Sequence, residues 1–344
     1  MRYKRLGRTG LYVSEICLGT MTYGGKGQFW EVFGKLGVDA VAAQLRTALD
    51  AGVNFLDTAN VYHEGESERL VAAGIAKLGL RRDDFVIATK AHGRVGTGAN
   101  DVGQSRRHLF TAIDDSLARL AVDHIDLYQI HAHDPATPLE ETVDALDAIV
   151  RSGKVRYLGF CNLPAWIAMK MLAIADARGA SRFVSAQMFY AIAARDIERE
   201  LVPLAQAEGL GILPWSPLAG GLLSGKFSAD GGPADARRAQ FDFPVVDKPR
   251  AFRCVDAMRP IAAAHDVSVA QVALAYLLAK PAVTSVIVGA KTAEQLADNL
   301  AATKLVLAPE ELAKLDEVSA LPPEYPGWMV PFQNRQRYLD GAVR

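Results

Sequence analysis

Cysteine is scarce. There are three in 344 residues, Cys17, Cys161 and Cys254, far apart and without a C-x-x-C pair. An odd count cannot form a full disulfide set, and the expectation is a reducing, cytoplasmic setting. An excess of one charge is missing too. Thirty-eight Lys and Arg stand against 39 Asp and Glu, for a formal net charge of −1. No basic patch emerges for nucleic acid or an acidic membrane surface, so neither is an expected partner. No apolar run reaches the roughly 18 residues that span a bilayer, and no N-terminal stretch couples a basic start to an apolar run as a signal peptide does. Nor does a G-x-G-x-x-G follow any strand: Gly93, Gly96 and Gly98 come in the wrong order. That argues against a short-chain or medium-chain dehydrogenase.

What is present is periodic. Half of the residues are hydrophobic, enough to bury a large core, and 22% are charged, an ordinary share. Apolar, β-prone runs recur at Glu15–Leu18, Val53–Asp57, Phe85–Thr89, Ile125–Ile130, Val155–Gly159, Phe183–Gln187, Gly211–Trp215 and Val286–Val288. Between most of them, apolar residues at i, i+3 and i+4 predict helices over Val38–Ala51, Ser67–Leu78, Ser105–Leu120, Leu139–Arg151, Pro164–Arg178 and Asp196–Glu208. Gly52, Gly79, Gly153 and Gly209 stand where C-caps belong. Eight strand–helix units imply a parallel sheet closed into a TIM (β/α)8 barrel, a single domain over residues 1–344. Arg2–Leu6 and Tyr12–Ser14 flank Gly7-Arg8-Thr9-Gly10 and predict an N-terminal β-hairpin, expected to cap the barrel bottom. Extra C-terminal helices are predicted near Arg250–His265, Val269–Ala279 and Pro309–Val318. Met21–Gly37 and Leu218–Pro249 break the rhythm; loops this long are usually functional or disordered.

In such a barrel the chemistry lies at the C-terminal ends of the strands. The second strand ends at Asp57 and runs on to Tyr62, the third ends at Lys90 and the fourth at His131. Alone, each has an ordinary role: a cap or ion-pair partner, a loop aromatic, a snorkelling lysine, a structural histidine. Together they cohere. A lysine ending a buried strand needs a carboxylate, and one ends the neighbouring strand. Reducing a carbonyl requires a proton for the developing alkoxide. A free tyrosine, with a pKa of about 10, donates reluctantly. A lysine cation beside it stabilises the phenolate and lowers that pKa. A histidine hydrogen bond polarises and orients the carbonyl oxygen. The expected roles are Tyr62 as general acid in reduction and base in oxidation, Lys90 as its tuning cation, Asp57 as the anchor of Lys90, and His131 as donor to the carbonyl.

Five motifs now carry a family resemblance over nearly the whole chain. They are Gly52-Val-Asn-Phe-Leu-Asp57-Thr-Ala-Asn-Val-Tyr62, Asp126-Leu-Tyr-Gln-Ile-His131, Gly153-Lys-Val-Arg-Tyr-Leu-Gly159, Pro214-Trp-Ser-Pro-Leu-Ala-Gly-Gly-Leu-Leu-Ser-Gly-Lys226 and Val288-Gly-Ala-Lys-Thr-Ala-Glu-Gln-Leu-Ala-Asp-Asn299. The sequence resembles the aldo-keto reductases, whose Asp, Tyr, Lys and His tetrad falls on Asp57, Tyr62, Lys90 and His131. The resemblance implies a non-covalent NADP (NADPH) cofactor and no metal. It assigns the nicotinamide carboxamide to Cys161, Asn162 and Gln187, with Cys161 standing where serine is usual. It assigns the nicotinamide face to Trp215 and the pyrophosphate to the loop from Ser216, Pro217, Leu218 and Gly220 to Lys226. It assigns the adenosine end to Gly289, Lys291, Gln295 and Asn299, with Lys291 on the 2′-phosphate.

Two other readings fit parts of the pattern. His131-Ala-His133-Asp134 resembles a metal pair, since alternate strand residues share a face, but no other His or carboxylate at the strand ends completes a set of three or four ligands. Some relatives in the resembled family are nucleotide-sensing regulatory subunits of membrane channels with little turnover; the intact tetrad favours a carbonyl or alcohol oxidoreductase instead. Tyr23, Phe29, Trp30 and Trp328 suit an apolar or sugar-stacking substrate pocket, and suit core packing or a dimer contact equally.

Overall fold

The computed structural model describes residues 1–27, 29–228, 231–233 and 236–335. The chain opens with the expected hairpin, in which β1 (Tyr3–Arg5) and β2 (Tyr12–Ser14) pair antiparallel with Tyr3 opposite Ser14. Gly7 in its turn has φ +57°, and a Cβ there would lie 2.4 Å from the Val184 carbonyl oxygen. Only glycine lets the hairpin seat this closely.

Eight parallel strands follow: β3 (Ile16–Gly19), β4 (Phe55–Asp57), β5 (Val86–Ala91), β6 (Ile125–Ile130), β7 (Val155–Cys161), β8 (Phe183–Phe189), β9 (Gly211–Trp215) and β10 (Val286–Val288). Their spatial order is β10-β3-β4-β5-β6-β7-β8-β9. The ends of that row meet through Thr284 N–H to Ile212 O (2.9 Å) and Ile212 N–H to Ala282 O (3.3 Å). The fold is a TIM barrel.

The helices α1 (Val38–Asp50), α2 (Glu66–Lys77), α3 (Arg106–Leu120), α4 (Leu139–Arg151), α5 (Ala165–Arg178) and α6 (Leu201–Glu208) follow β3 to β8 in turn. Between β9 and β10 lie α7 (Arg237–Gln240), α8 (Lys248–His265) and α9 (Val269–Leu278). After β10 come α10 (Ala293–Ala301), α11 (Pro309–Val318) and α12 (Met329–Gln333). One predicted helix, Asp196–Glu208, is broken into a turn at Asp196–Glu198 and α6 proper. The cause is Pro203, which lacks an N–H and clashes with the preceding turn inside a helix. Starting at Leu201 places it in the first turn.

Alternation along the strands builds two layers. Leu18, Leu56, Ile87 and Tyr128 face the helices in the main core. Cys17, Phe55, Val86, Ala88, Leu127, Leu213 and Ile287 pack with hairpin residues Leu6 and Val13 in a second cluster. The hairpin therefore plugs the lower barrel with apolar side chains. The same alternation, two residues further along, puts Lys90 above Ala88 and Gln129 above Leu127.

Candidate active site

The four expected residues converge. Lys90, fully buried, points its Nζ at Asp57 Oδ2 (2.6 Å), the Thr58 carbonyl oxygen (2.8 Å) and the Tyr62 hydroxyl (3.1 Å). Its three ammonium protons are thus all engaged. The Tyr62 ring lies 5.9 Å from that of His131, edge to face, and 5.7 Å from that of Trp30. Burial opposes the charge on Lys90, but Asp57 and Tyr62 outweigh it, and its pKa lies above the ordinary lysine value. His131 goes the other way: burial, then the Lys90 charge, holds it well below 6.5 and hence neutral. A neutral imidazole still donates a hydrogen bond.

Tyr62 corrects one expectation. Burial raises its pKa above 10; the Lys90 charge and hydrogen bond pull down, and Asp57 pushes up. Burial wins, so the net shift is upward and Lys90 limits it rather than reversing it.

Beneath Lys90 lies a layer of amides. Gln129 Nε2 and Gln187 Nε2 both donate to Asp57 Oδ1, at 3.1 and 2.8 Å. Gln187 Nε2 also reaches Gln129 Oε1 (3.3 Å), as does the buried Cys161 thiol (3.8 Å). Gln187 and Cys161 are therefore beside the tetrad as expected, but Cys161 is turned onto Gln129. Asn162, with φ +54°, donates from Nδ2 to the His131 carbonyl oxygen (3.1 Å) and accepts from Trp215 Nε1 (2.9 Å). Strand β9 thus delivers Trp215 next to Asn162 and within 5.0 Å of the Phe189 ring.

Past Trp215 the backbone turns sharply. Ser216 (φ +50°), Ala219 (+48°), Gly220 (+67°) and Gly221 (+94°) are all left-handed, and Gly220 N–H is held by Ser216 Oγ at 3.0 Å. Arg238, almost fully buried, clamps this turn by donating to the carbonyl oxygens of Ala219 (2.6 Å) and Pro244 (2.8 Å). Pro217 is buried, Leu218 half-buried and Lys226 exposed. Past the end of β10, exposed Gly289 leads into α10, capped by Thr292 Oγ1, which accepts from Gln295 N–H at 3.2 Å. Lys291, Gln295 and Asn299 follow at one-turn spacing; Gln295 Oε1 accepts from Lys291 N–H at 3.0 Å, and Asn299 is buried. The Lys291 ammonium donates to the Val32 carbonyl oxygen at 3.1 Å. The residue set fits a nicotinamide dinucleotide: an aromatic face and amides at one end, a left-handed turn in the middle, a capped helix N-terminus with a lysine at the other.

Several participants escaped the sequence reading. Gln129 lies within the Asp126–His131 stretch; a glutamine on the inward face, two residues on from the apolar Leu127, was the signal. Phe241 and Phe243 lay unremarked in the long loop after β9. Phe243 stacks on Trp215 (5.9 Å, 15° between planes), and Phe241 meets Phe29 (5.6 Å) and Phe33 (5.8 Å). These contacts join the 21–37 and 218–249 segments; residues 28, 229, 230, 234 and 235 within them lie outside the described set. Tyr23 is a core residue with no exposure, and Trp328 is half exposed and pairs with Tyr325 at 6.4 Å. Asp134, of the supposed metal pair, caps a turn, accepting from Gln104 N–H, Ala136 N–H and Thr137 Oγ1. Among the described residues, no three His, Cys, Asp or Glu side chains are grouped to hold a metal ion.

Comparison with known proteins agrees with this geometry. Residues 15–320 match the model of the aldo/keto reductase family. An uncharacterized oxidoreductase of Bacillus subtilis, YrpG, is 37% identical, covering 92% of this chain and 96% of its own. A probable voltage-gated potassium channel subunit beta of Oryza sativa is 36% identical, with the same coverage of each chain. The versiconal hemiacetal acetate reductase of Aspergillus parasiticus is 33% identical, again over 92% and 96%. The chain belongs to the aldo/keto reductase family.

Proposed function

We propose that this protein is an NADP-dependent oxidoreductase that interconverts small carbonyl compounds and alcohols. The observation that carries the reading is the buried Lys90 ammonium, bonded at once to the Asp57 carboxylate and the Tyr62 hydroxyl. Bound NADPH supplies the hydride. Tyr62 gives its hydroxyl proton to the carbonyl oxygen during reduction and takes it back during oxidation. Lys90 stabilises the phenolate left behind, and Asp57 keeps Lys90 charged and aimed. Neutral His131 donates a hydrogen bond to the carbonyl oxygen. The Trp30 ring beside Tyr62 favours an apolar substrate wall.

The cofactor assignment follows the residues past β7, β8, β9 and β10. Trp215 offers a ring to the nicotinamide, and Asn162 and Gln187 offer amides to its carboxamide. The turn from Ser216 to Gly221 suits the pyrophosphate, since Gly220 and Gly221 carry no side chain to keep a phosphate from the backbone. Lys291, ahead of α10, suits the 2′-phosphate.

One finding favours a second reading. A relative bears the name of a potassium channel subunit, and a nucleotide-sensing regulatory subunit would use the same groove with little turnover. The assembled tetrad supports the enzyme. Titrating NADPH and NADH against tryptophan fluorescence, then adding a panel of aldehydes while following reduced nicotinamide absorbance, separates the two. We expect tighter NADPH binding and aldehyde-dependent oxidation. Tight binding with no turnover on any carbonyl would favour the sensor. Lys291→Ala should erase most of the preference for NADPH over NADH; an unchanged preference removes Lys291 from the 2′-phosphate.

A further inference from the structure

Tyr62 has unlike neighbours. The Trp30 ring is an apolar one, 5.7 Å from the tyrosine ring. The others are imidazoles. Lys90 and Gln129 form one inward layer, in register with each other, and Ala91 pairs with Ile130 above them. Two residues past Lys90 and Gln129, the same alternation brings His92 and His131 side by side. The backbone ladder reaches that far, since His131 N–H donates to the Ala91 carbonyl oxygen at 3.0 Å. The segment carrying His92 lies against the tyrosine loop: a Cβ on Gly93 would come within 2.7 Å of Val61 Cγ1. His133 completes the group. A charge on His133 opposes one on His92, and a charge on His92 opposes one on His131.

These three rings have no hydrogen-bond partner among the described residues. Nδ1 of His92 and of His133 is buried and unpartnered, while Nε2 of each is unbonded and not buried. Half-buried polar groups left unbonded by their own protein are uncommon. Asp134, the carboxylate near His92, is already taken up by Gln104, Ala136 and Thr137. Burial above all keeps His92 and His131 neutral. A neutral imidazole has one N–H and one bare nitrogen, so it both gives and takes a hydrogen bond. A hydroxyl does the same, whereas a carboxylate or phosphate only accepts. The Lys90 ammonium beside them is fully shared among three acceptors. The imidazole wall therefore suits a neutral hydroxyl and not an anion.

We propose that His92, supported by His133, is a specificity-determining residue that selects carbonyl compounds bearing a hydroxyl on the carbon next to the carbonyl. With the carbonyl oxygen bonded to Tyr62 and His131, that hydroxyl falls one strand over, at His92. Neighbouring strands lie about 4.8 Å apart, a span that two oxygens on adjacent carbons bridge with one hydrogen bond each. The C–H face of the same compound meets Trp30. The inference rests on the reading of the site as a carbonyl oxidoreductase and names its substrate class.

The probes are two matched pairs, hydroxyacetone with acetone and glyceraldehyde with propanal, followed by NADPH oxidation. Wild-type protein should favour the hydroxylated member in kcat/KM by about tenfold or more, the worth of one such hydrogen bond. His92→Phe keeps a ring and removes both nitrogens, and His92→Leu serves should the first not fold. The ratio within each pair should fall by about tenfold in the variant, which separates the hydrogen bond from the greater intrinsic reactivity of the hydroxylated compound. His133→Phe should lower the ratio less. A wild-type protein without the preference overturns the proposal, as does a folded His92 variant that keeps the wild-type ratio. A preference for glyceraldehyde 3-phosphate over glyceraldehyde would overturn the choice of a neutral ligand. If NADPH binds and none of a wide panel of carbonyls is reduced, the oxidoreductase reading itself falls, and this inference with it.

Discussion

Tyr62 owes its position to an unusual stretch of backbone. His63 (φ 49°, ψ 40°) and Glu64 (φ 58°, ψ 39°) both follow it in the left-handed region, where non-glycine residues are uncommon. The chain accepts that strain while holding His63 buried, with Nε2 3.0 Å from the Met21 carbonyl oxygen. The Tyr62 hydroxyl is thereby fixed over Lys90. Tyr62→Phe removes one oxygen and nothing else. It should lower the chemical step by roughly 10²- to 10⁴-fold and leave NADPH affinity near wild type, as read by single-turnover absorbance and fluorescence titration. Lys90→Met probes the tuning. Lys90 pulls the Tyr62 pKa down more than Asp57 pushes it up. The variant's phenolate therefore forms only at higher pH, even where Asp57 takes up a proton for want of its partner. The acid limb of alcohol oxidation should move to higher pH, and a limb that stays put would remove Lys90 from this role. The sequence predicted the partnership but not its balance, because burial of Tyr62 depends on Trp30 and other groups contributed from outside its own motif.

At the scale of elements, the barrel was readable because its signals are local. Each strand is a short apolar run with inward and outward residues alternating, and β6, β9 and β10 begin and end where the pattern does. β5, β7 and β8 run two residues further than expected, past Lys90 to Ala91 and past Gln187 to Phe189, because ladder bonding continues beyond the apolar run. What required the fold was register. That Gln129 lies opposite Lys90, and Cys161 opposite Gln187, follows from pairing between strands and not from spacing along one. The long segments were equally opaque, since no periodicity says that Phe29 and Phe33 meet Phe241. That meeting links the segment after β3 to the segment after β9, and through Phe243 reaches Trp215. On the reading proposed above, the dinucleotide runs along the second segment and leaves past this bridge. Phe241→Ala removes three ring contacts at once, each worth about 0.5–1.5 kcal/mol. The NADPH off-rate should rise by roughly tenfold, measured by stopped-flow fluorescence, with the chemical step unaffected. An unchanged off-rate would mean the bridge does not hold the cofactor in.

Taken whole, the molecule keeps its ionisable groups in two kinds of company, and this shapes its response to pH. His63, His92, His108 and His131 all have pKa values below the ordinary 6.5, in each case chiefly because burial disfavours the imidazolium. In the unfolded chain these histidines take up protons near 6.5; in the folded one they resist. Their contribution to stability is therefore complete above about pH 6.5 and is lost as pH falls below it. Asp134 and Asp147 are held below 3.8 by hydrogen bonds that outweigh burial, so their contribution fades only at more acidic pH. Lys90 is raised, and its contribution persists until pH passes the unfolded value of 10.5. The signs agree on a plateau from about pH 7 to 9 and a first decline below about 6.5, ahead of carboxylate titration. Thermal melts across that range should show it, and His131→Asn should flatten the first decline because one proton-uptake site is gone from the unfolded chain. A Tm that rose between pH 7 and 5 would contradict the neutral burial of these rings. His63, His92 and His131 directly follow Tyr62, β5 and β6, so the same protonation falls on the rim that holds the tetrad. Nucleotide affinity measured alongside should decline over the same interval.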